Sequence, residues 1–454
     1  MSTATLAAIR YGTGLSPRIA LAADADAVLA QLAGPDQAAA QFPIAGLADL
    51  WPLIAEYGAA RRDSSAGRAG GAERYKAARA AIRDRLNAGI RARLMRGALA
   101  ADGFRERLTW FWADHFTVRA TSVRYRPGPA TYVEDAIRPH VAGKFSDMLR
   151  AAAIHPVMLA YLDQDSSIGP ESRVGQRKDG GLNENLAREI LELHTLGVGA
   201  QFTQTDVTEF AELLTGLTFT VEDGFRFRRR WAEPGAERVL GSRYGGKGPA
   251  KRKDIFDALD DIAHMPTTAA HLAHKLAVHF ISDTPDPDLV MQMTHAYLAN
   301  DTDLARVYEA MLAHPKAWTP LGAKARQPFE FITAALRALG TAETRLATLT
   351  NGELNRLILR PLARMGQPYE QPPGPNGWPE DAEAWITPPA LAERIAWAMN
   401  VKALHDGPLP EPAEFVATAL GDLAPADLTQ AVRMSESTRA GLGLVLASPA
   451  FNRR

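Results

Sequence analysis

The segment NENLAREILELHTLG, residues 183–197, gathers three glutamates, an arginine and a histidine on a run of good helix formers. With Asn183 as N-cap and Gly197 at the left-handed C-terminal position, the spacing predicts a single helix. At about 100° per residue, Glu184, Asn185, Arg188, Glu189, Glu192 and Thr195 share an arc of about 140°. Leu186, Ala187, Ile190, Leu191, Leu193 and His194 fill the remainder. Arg188 lies one turn from both Glu184 and Glu192, so an exposed face of this kind is an ion-pair ladder. If it lines a cleft, one carboxylate can serve as general base while Arg188 holds an anionic group or keeps a neighbouring acid ionised. Asp206, near the start of the following segment QFTQTDVTEFAELLTG, lies across a short turn from it. The candidate catalytic set is therefore Glu184, Arg188, Glu189, Glu192 and Asp206.

Metal chemistry needs a different combination. Glu192 and His194 diverge by about 200° on one helix and cannot act as neighbouring ligands. In RERLTWFWADHFTV, His115 shares a face with Leu108, Phe111 and Trp112, so it emerges among aromatic residues. Brought against the charged helix, His115 with Glu189 and Glu192 would form a carboxylate-rich divalent site, favouring magnesium, calcium or manganese over zinc. His115 and His194 are both apolar-face histidines that could face each other across a helix interface. HLAHKLAVHFISD sets His271 and His274 three residues apart, but the adjacent Lys275 opposes a cation and the HExxH signature is absent.

Composition narrows the classes. The 454 residues include no cysteine, which excludes disulfides, thiolate nucleophiles and cysteine-held zinc or iron–sulfur clusters. A formal net charge of -1 gives no overall attraction to nucleic acid or anionic membrane. The start, MSTATLAAIRYGTGLSP, has no basic region followed by an apolar one, and no run of about 18 apolar residues occurs, so the chain as written is expected to be cytoplasmic. GxSxG, GxGxxG, P-loop and EF-hand patterns are missing, which removes the usual serine-hydrolase and nucleotide-dependent readings.

The elements that must position these groups are mainly helical. Periodicity predicts a mainly α, multi-helical assembly spanning 1–454 as one unit, with helical parts 1–216 and 251–454 and an approximate seam at 217–250. In the seam, TFTVEDGFRFR alternates apolar and polar residues around Asp223-Gly224 and predicts a β-hairpin, followed by a glycine- and lysine-rich loop over Gly241 to Lys253. RRDSSAGRAGG (61–71) reads as a loop, and the arginines between Arg74 and Arg107 as a solvated helix face rather than a nucleic-acid surface. GQPYEQPPGPNGWPEDAEAWITPP (366–389) is too proline-dense for regular structure, and its aromatic residues predict a cover lying against a cleft.

Taken in order, FWADHFTV, HPVMLAYLD, NENLAREILELHTLG with FTQTDVTEFAELLTG, HLAHKLAVHFISD, GWPEDAEAW and the terminal SPAFNRR resemble, over nearly the whole chain, a large bacterial family catalogued as a domain of unknown function, the eighteen-hundredth in that series. The resemblance implies specific contacts for the charged helix and, by the family's habits, a sulfatase-like exported protein as partner and a periplasmic location as the alternative. The chain departs from the family pattern with Ala232 where a histidine is common and His274 where a basic residue is usual. Two functions are thus expected of different kinds: a hydrolase-like acid–base or carboxylate-metal enzyme, or a non-catalytic helical binding or accessory protein.

Overall fold

Helix after helix follows from capping signals in the sequence. Asp24, Asp102, Thr203, Thr387 and Ser437 each accept a hydrogen bond from a backbone N–H in the first turn that they cap, satisfying donors the helix itself cannot. The structure is a computed structural model and describes residues 2–177, 181–221 and 224–454. Its architecture is mainly α, as the periodicity predicts, with two small two-stranded antiparallel sheets. Among the described residues no helix is long and apolar enough to cross a membrane.

Both sheets fall within 217–250. Leu217–Thr220 pairs with Gly224–Phe227 in the predicted hairpin, with Phe219 opposite Phe225. Asp223, the expected first turn residue, lies outside the described residues. The stretch read as a loop from Gly241 is instead largely strand: Ser242–Pro249 pairs with Pro234–Val239. The reason is a tight reversal at Leu240 and Gly241, both at positive φ (49° and 84°), which tethers the two runs. It is fixed from outside by Asp206 Oδ1, which accepts from Leu240 N at 2.8 Å, and by Glu209 Oε2, which accepts from Arg238 N at 2.8 Å.

Two hydrophobic clusters form the interior. One joins residues from Leu6 to Ala317, including the helix Gly103–His115 and the 186–196 turns, and the other joins the end of the helix Gly71–Leu99 to Pro328–Ala338 and the C-terminal helices. Gly71–Leu99 changes character along its length. Arg74, Arg79 and Arg83 are solvated as expected, but Arg96 is buried with Glu134 at 2.6 Å and Arg91 donates to Leu349 O at 2.7 Å. The arginines of the second half are structural ties turned inward. The proline-rich segment packs on the body, as expected, but its proline-free stretch forms a short helix, Ala382–Trp385. Trp385 is 2% exposed there.

Candidate functional site

The charged segment is α-helical only over Asn185–Glu189 and continues as a π-helical turn, Ile190–Thr195. The wider turn rotates the last residues off the regular wheel. Thr195, expected on the charged arc, is buried and donates to Ile190 O at 2.6 Å, while Leu193 moves to a half-buried position. His194 and Ile190 stay in the core, and Gly197 has the anticipated positive φ of 96°.

On the charged face, Glu184 accepts from Thr208 Oγ1 at 2.7 Å, Gln204 Nε2 at 2.8 Å and Arg188 Nη2 at 3.1 Å. Thr208 and Gln204, then Arg188, hold its carboxyl below the usual range despite some burial. Arg188 also reaches Gln204 at 2.8 Å and Glu192 at 3.7 Å. Glu184, Arg188 and Glu192 side chains are 30–38% exposed, so this cluster lies at the edge of solvent. Glu189 sits nearby, its pKa raised by burial and by Glu192. Asp206 spends one oxygen on the Thr203 capping box and the other on Leu240 N.

His115 is not gathered with Glu189 and Glu192. Its Nε2–H donates to His194 O at 3.0 Å, and its Nδ1 accepts from Lys275 Nζ at 3.0 Å. Burial, and then the Lys275 charge, keep this imidazole neutral. His115 and His194 do face each other, with ring centroids 6.0 Å apart. Among the described residues, the three-ligand group whose oxygens approach within 4.8 Å of one another is Glu209, Glu212 and Glu237. Such an all-oxygen trio could hold a hard divalent cation. Burial, followed by repulsion from Glu212 and Glu209, raises Glu237 to about 8, so its proton also relieves the crowding.

A different set of side chains lines a cavity of about 100 Å³ beneath the proline-rich segment. A single water needs about 10–15 Å³ of such space, so several waters or a small ligand fit. The helix Gly103–His115 contributes Trp110 and Asp114, Gly71–Leu99 contributes Arg93, Gly128–Tyr132 contributes Tyr132, and Pro328–Ala338 contributes Phe329 and Glu330. The proline-rich segment closes it with Tyr369, Glu370, Pro372 and Trp378.

The cover is latched at both ends of GWPE. Asp114 accepts from Trp378 N at 3.0 and 3.1 Å through its two oxygens. Glu380 accepts from His279 Nδ1–H at 2.6 Å and from Lys324 Nζ at 3.2 Å. His279 is neutral in this arrangement, its Nε2 accepting from Arg107 Nη2 at 3.1 Å. Behind it, Glu330 pairs with Arg107 at 2.9 Å and with Arg454 at 3.0 Å. FWADHFTV, HLAHKLAVHFISD, GWPEDAEAW and SPAFNRR thus meet at one place.

Burial raises the Asp114 carboxyl well above its ordinary value, against the pull of the Trp378 N–H and with Glu380 adding to the rise. Burial lifts Glu370 to about 7, although Arg93, at 3.5 Å, pulls the other way. Tyr132 is fully buried and its hydroxyl has no hydrogen-bond partner. The sequence reading missed Asp114 and Glu370. The available signal was an acid immediately before a buried histidine, and an acid inside an aromatic, proline-rich cover.

These shifts set a pH dependence. A folded-state carboxyl with a raised pKa contributes stability at low pH that is lost as pH rises through its folded value. Burial holds His194 at about 3 and His271 at about 4, so each contributes stability above about 6.5 that is lost on acidification. The two effects oppose each other below about 6.5; above it the acids act, joined in the same direction by His264, which Asp301 and Asp260 raise despite some burial. Tm is therefore expected to fall between pH 6.5 and 8, where Glu237 still holds its proton in the fold, and to fall less steeply in Glu237→Gln; thermal melts across that range check this, and equal slopes would refute it.

No curated protein and no solved structure gives a significant match to the chain. A family model described as "Protein of unknown function (DUF1800)" matches residues 7–453. With nearly every residue inside that match, the chain belongs to the DUF1800 family.

Proposed function

We propose that this protein is a hydrolase-like acid–base enzyme whose working groups are Asp114 and Glu370, and that the Glu184–Arg188–Glu192 face, with Glu189 and Asp206, is a structural network beside it. The observation that carries this reading is the common wall: two carboxyl groups shielded from solvent share one covered cavity with an unpartnered tyrosine hydroxyl. Carboxyl groups that exchange protons near neutrality can divide the work of hydrolysis. One donates its proton to the departing atom, and the other takes a proton from the attacking water.

Chromogenic carboxylate esters, phosphate monoesters and glycosides, assayed from pH 5 to 9, test the reading. Turnover of one class is expected, lowered at least about 100-fold in Glu370→Gln. No turnover of any class, or turnover indifferent to that change, would put the non-catalytic accessory reading, with a sulfatase-like partner, in its place. The structural role of the charged face has its own test. Arg188→Ala breaks contacts at the edge of solvent and should cost about 1 kcal/mol or less in urea unfolding, with turnover retained. Loss of turnover in a folded Arg188→Ala protein would return the catalytic role to that helix.

A further inference from the structure

We infer that the ligand of this cavity is a small neutral, hydroxyl-rich ring compound of the monosaccharide class; the inference rests on the cavity being the working site proposed above. The argument begins with charge. The ion pairs around the cavity are closed within the protein, and Asp114, which joins none of them, has its carboxyl raised to about 7 by burial. Glu330 is matched by Arg107 and Arg454, Glu380 by Lys324, and Arg93 by Glu370. An anionic ligand would meet Asp114, Glu330 and Glu370 on the wall, and a cationic one would meet Arg93, with Lys275 behind Asp114. Neither sign finds an unmatched partner, and burying an unmatched charge is costly.

What the wall leaves unspent is neutral hydrogen bonding and flat apolar surface. The Tyr132 hydroxyl, on a fully buried side chain, can both donate and accept and does neither within the protein. Tyr369 Oη, beside Arg93 and Glu370, makes no hydrogen bond of regular geometry. Trp110, Phe329, Tyr369 and Trp378 supply aromatic surface for the C–H faces of a ring. Unpartnered hydroxyl-matching groups set among aromatic faces, with internal charge neutrality, describe a polyol site.

Titrating the full-length protein with glucose, galactose, mannose and N-acetylglucosamine, read by tryptophan fluorescence and by the shift in Tm, tests this. Inorganic phosphate and choline serve as anionic and cationic probes. At least one sugar is expected to saturate the signal, with phosphate and choline inert. Tyr132→Phe removes only a hydroxyl that no protein group uses, so its Tm should equal or exceed that of the parent, while sugar binding weakens about tenfold. Saturation by phosphate or choline instead, no saturation by any sugar, or sugar binding unchanged in Tyr132→Phe would overturn the assignment. The two readings fail separately. Sugar binding without turnover of any substrate class keeps the ligand class and removes the enzyme, whereas ester turnover without sugar binding does the reverse.

Discussion

Replacing Glu330 by alanine is expected to lower the free energy of unfolding by about 3–5 kcal/mol, enough to threaten the fold. Glu330 lies behind the cavity between Arg107 and Arg454, whose side chains are 2% and 1% exposed. Burial by itself would push its carboxyl up, but the two guanidinium groups overcome that and hold it down to about 2. Removing it leaves two buried positive charges without a partner. Arg454 still donates to His279 O at 2.8 Å and Arg107 to the His279 ring, but those contacts do not replace the charge. Glu330→Gln keeps the shape and the acceptor, so it should cost less than alanine while still losing the ion pairs. Urea unfolding followed by circular dichroism measures both variants, and a loss below about 1 kcal/mol in Glu330→Ala would show that the arginines find other compensation. Because the folded pKa is depressed, this contribution is present above the ordinary glutamate value and is lost as pH falls toward 2. The parent protein should therefore show an acid transition that is missing from the alanine variant.

Gly377→Ala should detach the cavity cover. Gly377 has φ of 77°, and a Cβ there would stand 2.6 Å from Asp114 Oδ2 and 2.7 Å from Asp114 Cγ. Asp114 cannot easily give way, because both of its oxygens hold the next backbone N–H, that of Trp378. Left-handed backbone at a non-glycine residue costs about 1–3 kcal/mol, and the clash adds to it. The least costly response is for the segment from Gly374 onward to lift away, exposing Trp378. Gly366→Ala supplies the control, since its φ of 98° imposes the same kind of backbone strain but a Cβ there meets nothing within 4 Å. Limited proteolysis and the tryptophan emission maximum distinguish the two. Cleavage in 366–389 and a red shift are expected for Gly377→Ala and not for Gly366→Ala, and equal behaviour would mean that the Asp114 latch does not hold the cover.

Much of the molecule was legible in the chain because it depends on neighbours in sequence. The helical content, the 217–227 hairpin, the positive φ at Gly197 and the aromatic cover over a cleft all follow from local spacing and from residue types with strong backbone preferences. The ordered segments also carried the family. Local reasoning failed where a few degrees of backbone geometry mattered: a π-helical turn cannot be seen in a regular wheel, and it exchanged Thr195 for Leu193 at the core.

The site itself was decided by tertiary structure. Arg93, Asp114, Tyr132, Glu330 and Glu370 come from widely separated stretches, and each alone reads as an ordinary polar residue on a helix or loop. The charged cluster most conspicuous in sequence, around Arg188, stays at the edge of solvent, where water screens it. Asp114 and Glu370 acquire their chemistry from burial, which removes the water that would otherwise stabilise their charge. Sequence fixes which groups ionise in water; only the packing of distant segments decides which of them lose that water.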